Sequence, residues 1–413
     1  PDHADAFMAA RAASAIAELP TLDLAVSWYG EPGRTPVTGL AFVVDAPSAD
    51  VVWVPEAMAT DPVVLAAVAE HPRVRGHHVK ALMRSMLGSG FTLGGLQLDT
   101  AIAAYLIDPA ETRYAVGDLL QKYTDLQLGE AADPSSSGQL DFGGGDDGRV
   151  RAGAESLAVT HLADALESAL AKQGMAELYR TIENPLVLVL AKMEHVGIAV
   201  DVAELQQLNA RLTADCERLT AELHAIVGRP FNINSPIQLR DILYTERGLS
   251  PGKKTKTGYS TDAATLEKLR DQWPEFIDPL LTYREVEKLR GTYGTGLLQE
   301  VASDGRIHAT FNQTVARTGR LSSDQPNLHN IPVRSDEGRL FRRAFVPAPG
   351  HQLLVADYNQ IELRCIAHLA GDPGLIDAFE SGRDIHNATA SRVFGVEPEQ
   401  VTVDMRSKAK MVS

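Results

Sequence analysis

Three stretches of this 413-residue chain combine charge and spacing in ways that could do chemistry. In Leu353-Leu354-Val355-Ala356-Asp357-Tyr358, four apolar residues lead into one carboxylate, and Gln360-Ile361-Glu362-Leu363-Arg364 follows. A buried strand ending on Asp357 holds its carboxylate without a loop's freedom, which suits a metal ligand. An Asp at a strand-to-helix junction equally suits a helix N-cap. In Met405-Arg406-Ser407-Lys408-Ala409-Lys410, Arg406 and Lys410 share one face of a helix. A guanidinium fork beside a compact ammonium fits a triphosphate, although a solvated basic face has the same pattern. Finally, Arg317-Thr318-Gly319-Arg320-Leu321-Ser322-Ser323 precedes Pro326-Asn327-Leu328-His329-Asn330-Ile331-Pro332. Turns so rich in Arg, Ser and Asn can hydrogen-bond phosphates and base edges, or serve as ordinary loops.

These residues need elements to hold them. Gln352–Ala356 predicts a strand and Gln360–Leu369 the helix after it; Ile307–Phe311 and Leu340–Phe345 also read as strands. Upstream, Asp23–Trp28, Leu40–Val44 and Val51–Pro55 are strand-like and separated by turn-rich segments, and helical stretches follow at Ala101–Leu106 and Leu157–Tyr179. A strand-then-helix half implies an α/β or α+β domain. Between those helical stretches, 133–148 reads as a flexible surface loop. From Pro185 the pattern turns to long helix, continued at Leu205–Val227, Ala263–Arg270 and Ile277–Tyr293. Phe231–Pro236 interrupts it, with Ser235 as N-cap and Pro236 at the first helical position. Lys253–Thr257 is a basic loop.

Composition bounds the class. At 44.5 kDa the chain exceeds one core, so it is multidomain. Apolar residues at 44% and charged ones at 23% describe a globular protein rather than a disordered one. No run reaches the ~18 apolar residues of a membrane span, and no signal peptide is visible. The start at Pro1 reads as a fragment. Two cysteines form no disulfide framework or zinc site, so the expected setting is cytoplasmic. Net charge is −15 but uneven. Residues 1–228 hold 15 basic and 31 acidic side chains, 229–345 hold 18 and 14, and 346–413 hold 6 and 9. Only the middle block is net basic, which permits a polyanion site there.

Thr318–Ser323, Pro326–Pro332, Asp357–Arg364, Gly382-Arg383-Asp384-Ile385-His386 and Arg406…Lys410 occur in that order. Together they resemble the bacterial DNA polymerase I family, the family A DNA polymerases, over nearly all of residues 185–413 and more loosely over 1–180. The resemblance implies a multidomain α/β protein: a ribonuclease-H-like 3′–5′ exonuclease domain over 1–180, a helical thumb over 181–306, the first part of an α+β palm over 307–372, and the start of the fingers over 373–413. It implies primer–template DNA and dNTPs as partners, two Mg²⁺ ions as cofactors, a monomer, and a nucleoid-associated cytoplasmic setting without a membrane.

Residue by residue, Asp357 is implied as the metal-binding palm carboxylate, with the Tyr358 carbonyl completing the shell. Gln360 and Glu362 border the incoming nucleotide, Glu362 excluding a 2′-hydroxyl. Arg406, Lys410 and His386 contact the triphosphate. Arg320 reads the minor groove at the primer end, where acceptors occur in every base pair, with Asn327 and His329 beside it. Asn234, Ser235, Lys253, Lys254 and Lys256 belong to a thumb that holds duplex through phosphates. Three departures stand out. Asn359 replaces a usual Ser and His329 a usual Gln, both polar exchanges that alter contacts without removing them. The chain stops at Ser413, before the family's aromatic stacking residue and its His-Asp-Glu turn, so the expectation is that these residues alone do not polymerise.

In the front domain the family's Asp-x-Glu pair falls on Val26 and Trp28. Asp99 matches the second acidic motif, His161 replaces the third acid, and Asp164 is the one rescue in reach. Two-metal hydrolysis needs about four clustered carboxylates, so proofreading is expected to be absent and the domain to be a structural platform. Three functions follow: a DNA-directed DNA polymerase for repair and gap filling, a 3′–5′ exonuclease, or a primer–template binding module without turnover.

Overall fold

The computed structural model describes residues 3–128, 147–250, 252, 254–255, 258–332, 336–358, 360–382 and 384–409. The fold is mixed α/β and mostly helical, in two compact units, Pro1–Ala348 and Pro349–Ser413. None of its described helices is long and apolar enough to cross a membrane.

The first unit begins with a five-stranded sheet of β1 (Leu22–Trp28), β2 (Val37–Asp45), β3 (Asp50–Pro55), β4 (Val74–Gly76) and β5 (Leu96–Asp99), in the order β3-β2-β1-β4-β5. The first three strands run antiparallel, and β4 and β5 continue the sheet parallel to β1. Hairpin turns suffice for the former; parallel neighbours need crossovers, here made by helices Pro62–Glu70 and Lys80–Gly88. Helices cover both faces, so β1 begins with four consecutive buried residues rather than alternating ones. The helix Asp147–Lys172 lies on β1 and β2. It starts earlier than Leu157, so Asp147 and Gly148 of the expected loop are helical, and 129–146 fall outside the described residues.

Two long helices carry the next core. Val202–Val227 opens with Asp201 accepting from the Glu204 N–H at 3.0 Å and closes on Gly228 at φ +80, a conformation that favours glycine. It packs on Pro274–Leu289 around Leu219, Leu223, Phe276 and Leu280, with Trp273 stacked on Phe276 at 4.4 Å. Such a ring pair adds about 0.5–1.5 kcal/mol beyond burial. A separate cluster, including Leu205, Leu208, Tyr293, Ile307 and Phe341, ties the root of these helices to the segment that follows.

Three strand expectations fail. Ile307–Phe311 divides, because Arg306–Ile307 pairs with Ile198–Ala199 while Thr310–Asn312 pairs with Ser322–Asp324. Leu340–Phe345 is not a strand; a helix occupies Asp336–Arg343. Phe341 and Ala344 are buried three apart with Arg342 and Arg343 exposed, a helical period. Gln352–Ala356 forms no strand either, and Leu354 and Val355 are 92% and 90% exposed. Four consecutive apolar residues describe a strand covered on both faces, and no described strand pairs with this one. The second unit is otherwise helical: Ile361–Ala370, Pro373–Glu380, Ile385–Phe394 and Val403–Ala409.

Candidate functional site

In the second unit Asp357 lies on the exposed extended segment and heads no helix. The N-cap of Ile361–Ala370 is Gln360, held at φ +54 without a side-chain cap bond. Among the described residues nothing donates a hydrogen bond to the Asp357 carboxylate. Tyr358 is exposed, as is Glu362 in the first turn of the helix. The Arg364 guanidinium lies over the Phe379 ring at 4.3 Å, fixing this helix on Pro373–Glu380.

A second constellation forms around Asp384, which the motif reading passed over. One of its oxygens caps Ile385–Phe394, accepting from the N–H groups of His386 (2.9 Å) and Asn387 (3.2 Å). The other accepts from Arg406 Nε at 3.1 Å and from its terminal nitrogen at 2.8 Å. Burial raises the Asp384 carboxyl, but the Arg406 and main-chain hydrogen bonds outweigh it and hold it below the usual range. Arg406 is thus aimed, half-exposed, beside buried His386. The sequence signal was available: Asp384 stands at an N-cap position inside a quoted motif. Lys410 lies outside the described residues, as does Asn359.

In the first unit Arg320 sits on an exposed turn of the hairpin Thr310–Asn312 and Ser322–Asp324. Exposed Asn327 and His329 follow, the His329 ring 6.0 Å from that of Phe311. The Asn330 carbonyl beyond them accepts from the Tyr293 hydroxyl. Asn234 is exposed and donates to the Tyr283 hydroxyl at 3.1 Å. Ser235 caps Pro236–Arg240 as expected, accepting from Gln238 N–H at 3.4 Å, with Pro236 at the first helical position. Lys254 is exposed in a two-residue strand paired with Gly258–Tyr259. Lys253 and Lys256 lie outside the described residues.

Val26 and Trp28 line a cleft of about 300 Å³ with His77, Arg151 and Glu155. Asp99 is buried nearby: its Oδ1 accepts from the N–H groups of His78, Ala101 and Ile102 and its Oδ2 from that of Val79, at 2.7 to 3.4 Å. Asp164 points to solvent and reaches Arg75 at 3.5 Å, and His161 is exposed. Arg75 itself is forked onto buried Asp23 at 2.5 and 2.6 Å. Burial keeps the His77 imidazole neutral well below its usual pKa and pushes the Glu155 carboxyl up to about 7 despite Arg151.

Divalent ions bind hard oxygen donors, and a metal pair needs several carboxylates. Among the described residues no three His, Cys, Asp or Glu side chains gather into such a set. Asp357 and the Tyr358 carbonyl fit as the beginning of one, and no more.

Residues 202–413 match the family model of DNA polymerase family A. The chain is 43% identical over 343 residues to DNA polymerase I of Mycobacterium tuberculosis, covering 82% of this chain and 38% of that protein. It is 42% identical over 334 residues to DNA polymerase I of Bacillus subtilis, covering 78% and 37%. Among solved structures it resembles the POL domain of Pol1 from M. smegmatis in complex with DNA primer-template and dNTP. That likeness has a TM-score of 0.83 at 36% identity and covers all of this chain and 69% of that one. The chain therefore spans under two fifths of the length of these curated relatives.

Proposed function

The chain belongs to DNA polymerase family A, and from that membership we propose that the protein is a DNA-directed DNA polymerase adding dNTPs to a primer 3′-hydroxyl, in repair and replication gap filling. The observation that carries the reading is the family match over 202–413, which contains every residue assigned to the reaction. The domain limits given above, thumb, palm and start of the fingers, are part of the proposal. So is a ribonuclease-H-like first domain, supported by the β3-β2-β1-β4-β5 order and its mixed strand directions.

The resemblance supplies each role, and the described placements support some of them. Arg406 offers a guanidinium held by Asp384, and His386 stands beside it; with Lys410 they would receive a triphosphate. Glu362 and Gln360 would border the sugar. Arg320 on its exposed turn, with Asn327 and His329 behind it, would meet the minor groove at the primer end. Asn234, Ser235, Lys253, Lys254 and Lys256 would hold duplex phosphates in the only net-basic block. When bound, Mg²⁺ supplies positive charge against the primer hydroxyl and the leaving pyrophosphate; Asp357 and the Tyr358 carbonyl are the groups that would hold it.

The front domain carries no nuclease role in this proposal, since Asp99 is committed to four main-chain N–H groups and Asp164 turns to Arg75. A labelled primer–template with dNTPs and Mg²⁺ tests all three readings at once. A polymerase lengthens the primer and loses that activity on Asp357→Ala. Shortening would instead establish a nuclease, and a mobility shift without either would leave a binding module.

A further inference from the structure

We infer that the front domain is the seat of the hairpin that carries Arg320, with Arg34, Lys80 and Tyr105 as positioning residues; the inference rests on the role proposed above for Arg320. The hairpin is short, three residues on each strand. An isolated two-stranded ladder of that length is marginal in water, and its outer edges leave main-chain groups unpaired. Side chains of the front domain and of the helix Asn184–Val196 meet those groups instead.

On the outer edge, the Phe311 N–H donates to Glu194 Oε1 at 2.8 Å, and the Phe311 carbonyl accepts from the Lys80 ammonium. Lys80 and Glu194 are themselves paired at 2.5 Å, and Glu194 is buried. An ion pair thus stands where a third strand would. At the hairpin's base, one terminal nitrogen of Arg34 donates to the His308 carbonyl (2.9 Å), Thr310 Oγ1 (3.0 Å) and the Gln325 carbonyl (3.0 Å), clamping both ends together. At the turn, the buried Tyr105 hydroxyl donates to the Ala316 carbonyl at 2.7 Å, and the same carbonyl accepts at 3.3 Å from the N–H of Gly319, the residue before Arg320. Gly197, at φ +61, brings the chain close enough for this docking: a Cβ there would stand 2.8 Å from the Ile307 carbonyl oxygen.

None of the three positioning side chains needs to touch DNA. Each fixes the backbone from which Arg320 projects, and a misplacement of about 1 Å can cost about 100-fold in rate. Lys80 is a poor first test, because breaking a buried ion pair threatens the fold itself. Tyr105→Phe keeps the ring and removes only the hydroxyl.

The experiment compares Tyr105→Phe, Arg34→Gln, Arg320→Ala and the Tyr105→Phe/Arg320→Ala pair in the full polymerase. Matched and mismatched primer ends are extended, while duplex affinity and Tm are followed. Tyr105→Phe is expected to slow matched extension about tenfold and to weaken rejection of mismatched ends. Duplex affinity and Tm should hold steady, and Arg34→Gln should act in the same direction. In the Arg320→Ala background Tyr105→Phe should add less than about twofold. Full additivity, or wild-type extension by both Tyr105→Phe and Arg34→Gln, would overturn the seat. If Arg320→Ala itself extends normally, the role of Arg320 fails first, a result distinct from additivity.

Discussion

Asp99 and Asp357 both stand where an extended segment approaches a helix, yet the two regions use them in opposite ways. Asp99 follows β5 and caps Thr100–Ile107, and four main-chain N–H groups take up its carboxylate. Asp357 precedes its helix by several residues, is exposed, and accepts no hydrogen bond among the described residues. Asp384 lies between these limits, one oxygen turned to main-chain donors and the other to Arg406. A carboxylate committed to N–H donors is low in energy and poor as a ligand. The difference separates a carboxylate committed to its own main chain from one left open to a ligand.

The comparison breaks most sharply at Asp357. In the full polymerase Asp357→Ala should lower primer extension by about 1000-fold, the loss of several kcal/mol of transition-state stabilisation, with Tm unmoved. Extension within tenfold of wild type would remove Asp357 from the reaction. The split role of Asp384 is sharpened by Asp384→Asn, which preserves a competent N-cap and deletes the charge. Losing a charged hydrogen bond to Arg406 should raise KM for dNTPs about tenfold with a smaller change in kcat. An effect on Tm alone would make the pair structural.

Asp99→Ala should do the reverse. Orphaning buried N–H groups costs about 1–3 kcal/mol, read as a lower midpoint in urea, while extension by the folded fraction stays at wild type. A drop in extension with unchanged stability would return Asp99 to the catalytic side of the comparison.

What was legible in the sequence depended on distance along the chain. β1 to β3 were readable because each apolar run is bounded by turn residues, and Ser235-Pro236 because a cap and its proline are adjacent. β4 and β5, of three and four residues, are too short to show a period. Gln352–Ala356 misled because an apolar run records what a segment pairs with, and no described strand pairs with it. The site motifs were readable as words. The groups that hold them were not: Lys80 meets Glu194, and Tyr105 meets Ala316, across more than a hundred residues. No local spacing carries such pairs.

The effect expected to be smallest on primer extension lies in the front cleft, where Glu155 tests whether a carboxyl is held out of water. Its folded carboxyl is pushed up to about 7 by burial, with Arg151 lowering it only in part. An unfolded Glu titrates near 4.3. Between those values the folded chain holds a proton that the unfolded chain has released. Its contribution is therefore fully present below about pH 4.3 and is lost as pH rises to about 7, beyond which the deficit is constant. The deficit is on the order of 3–4 kcal/mol at most. Glu155→Gln keeps the shape without the proton, so its Tm should exceed that of the wild type at pH 8 and approach it at pH 5. An equal difference at both values would mean that Glu155 titrates normally and the cleft is fully wet. The cleft would then hold an ordinary ionised carboxylate, and the contrast with Asp357 would rest on the hydrogen bonds to Asp99 alone.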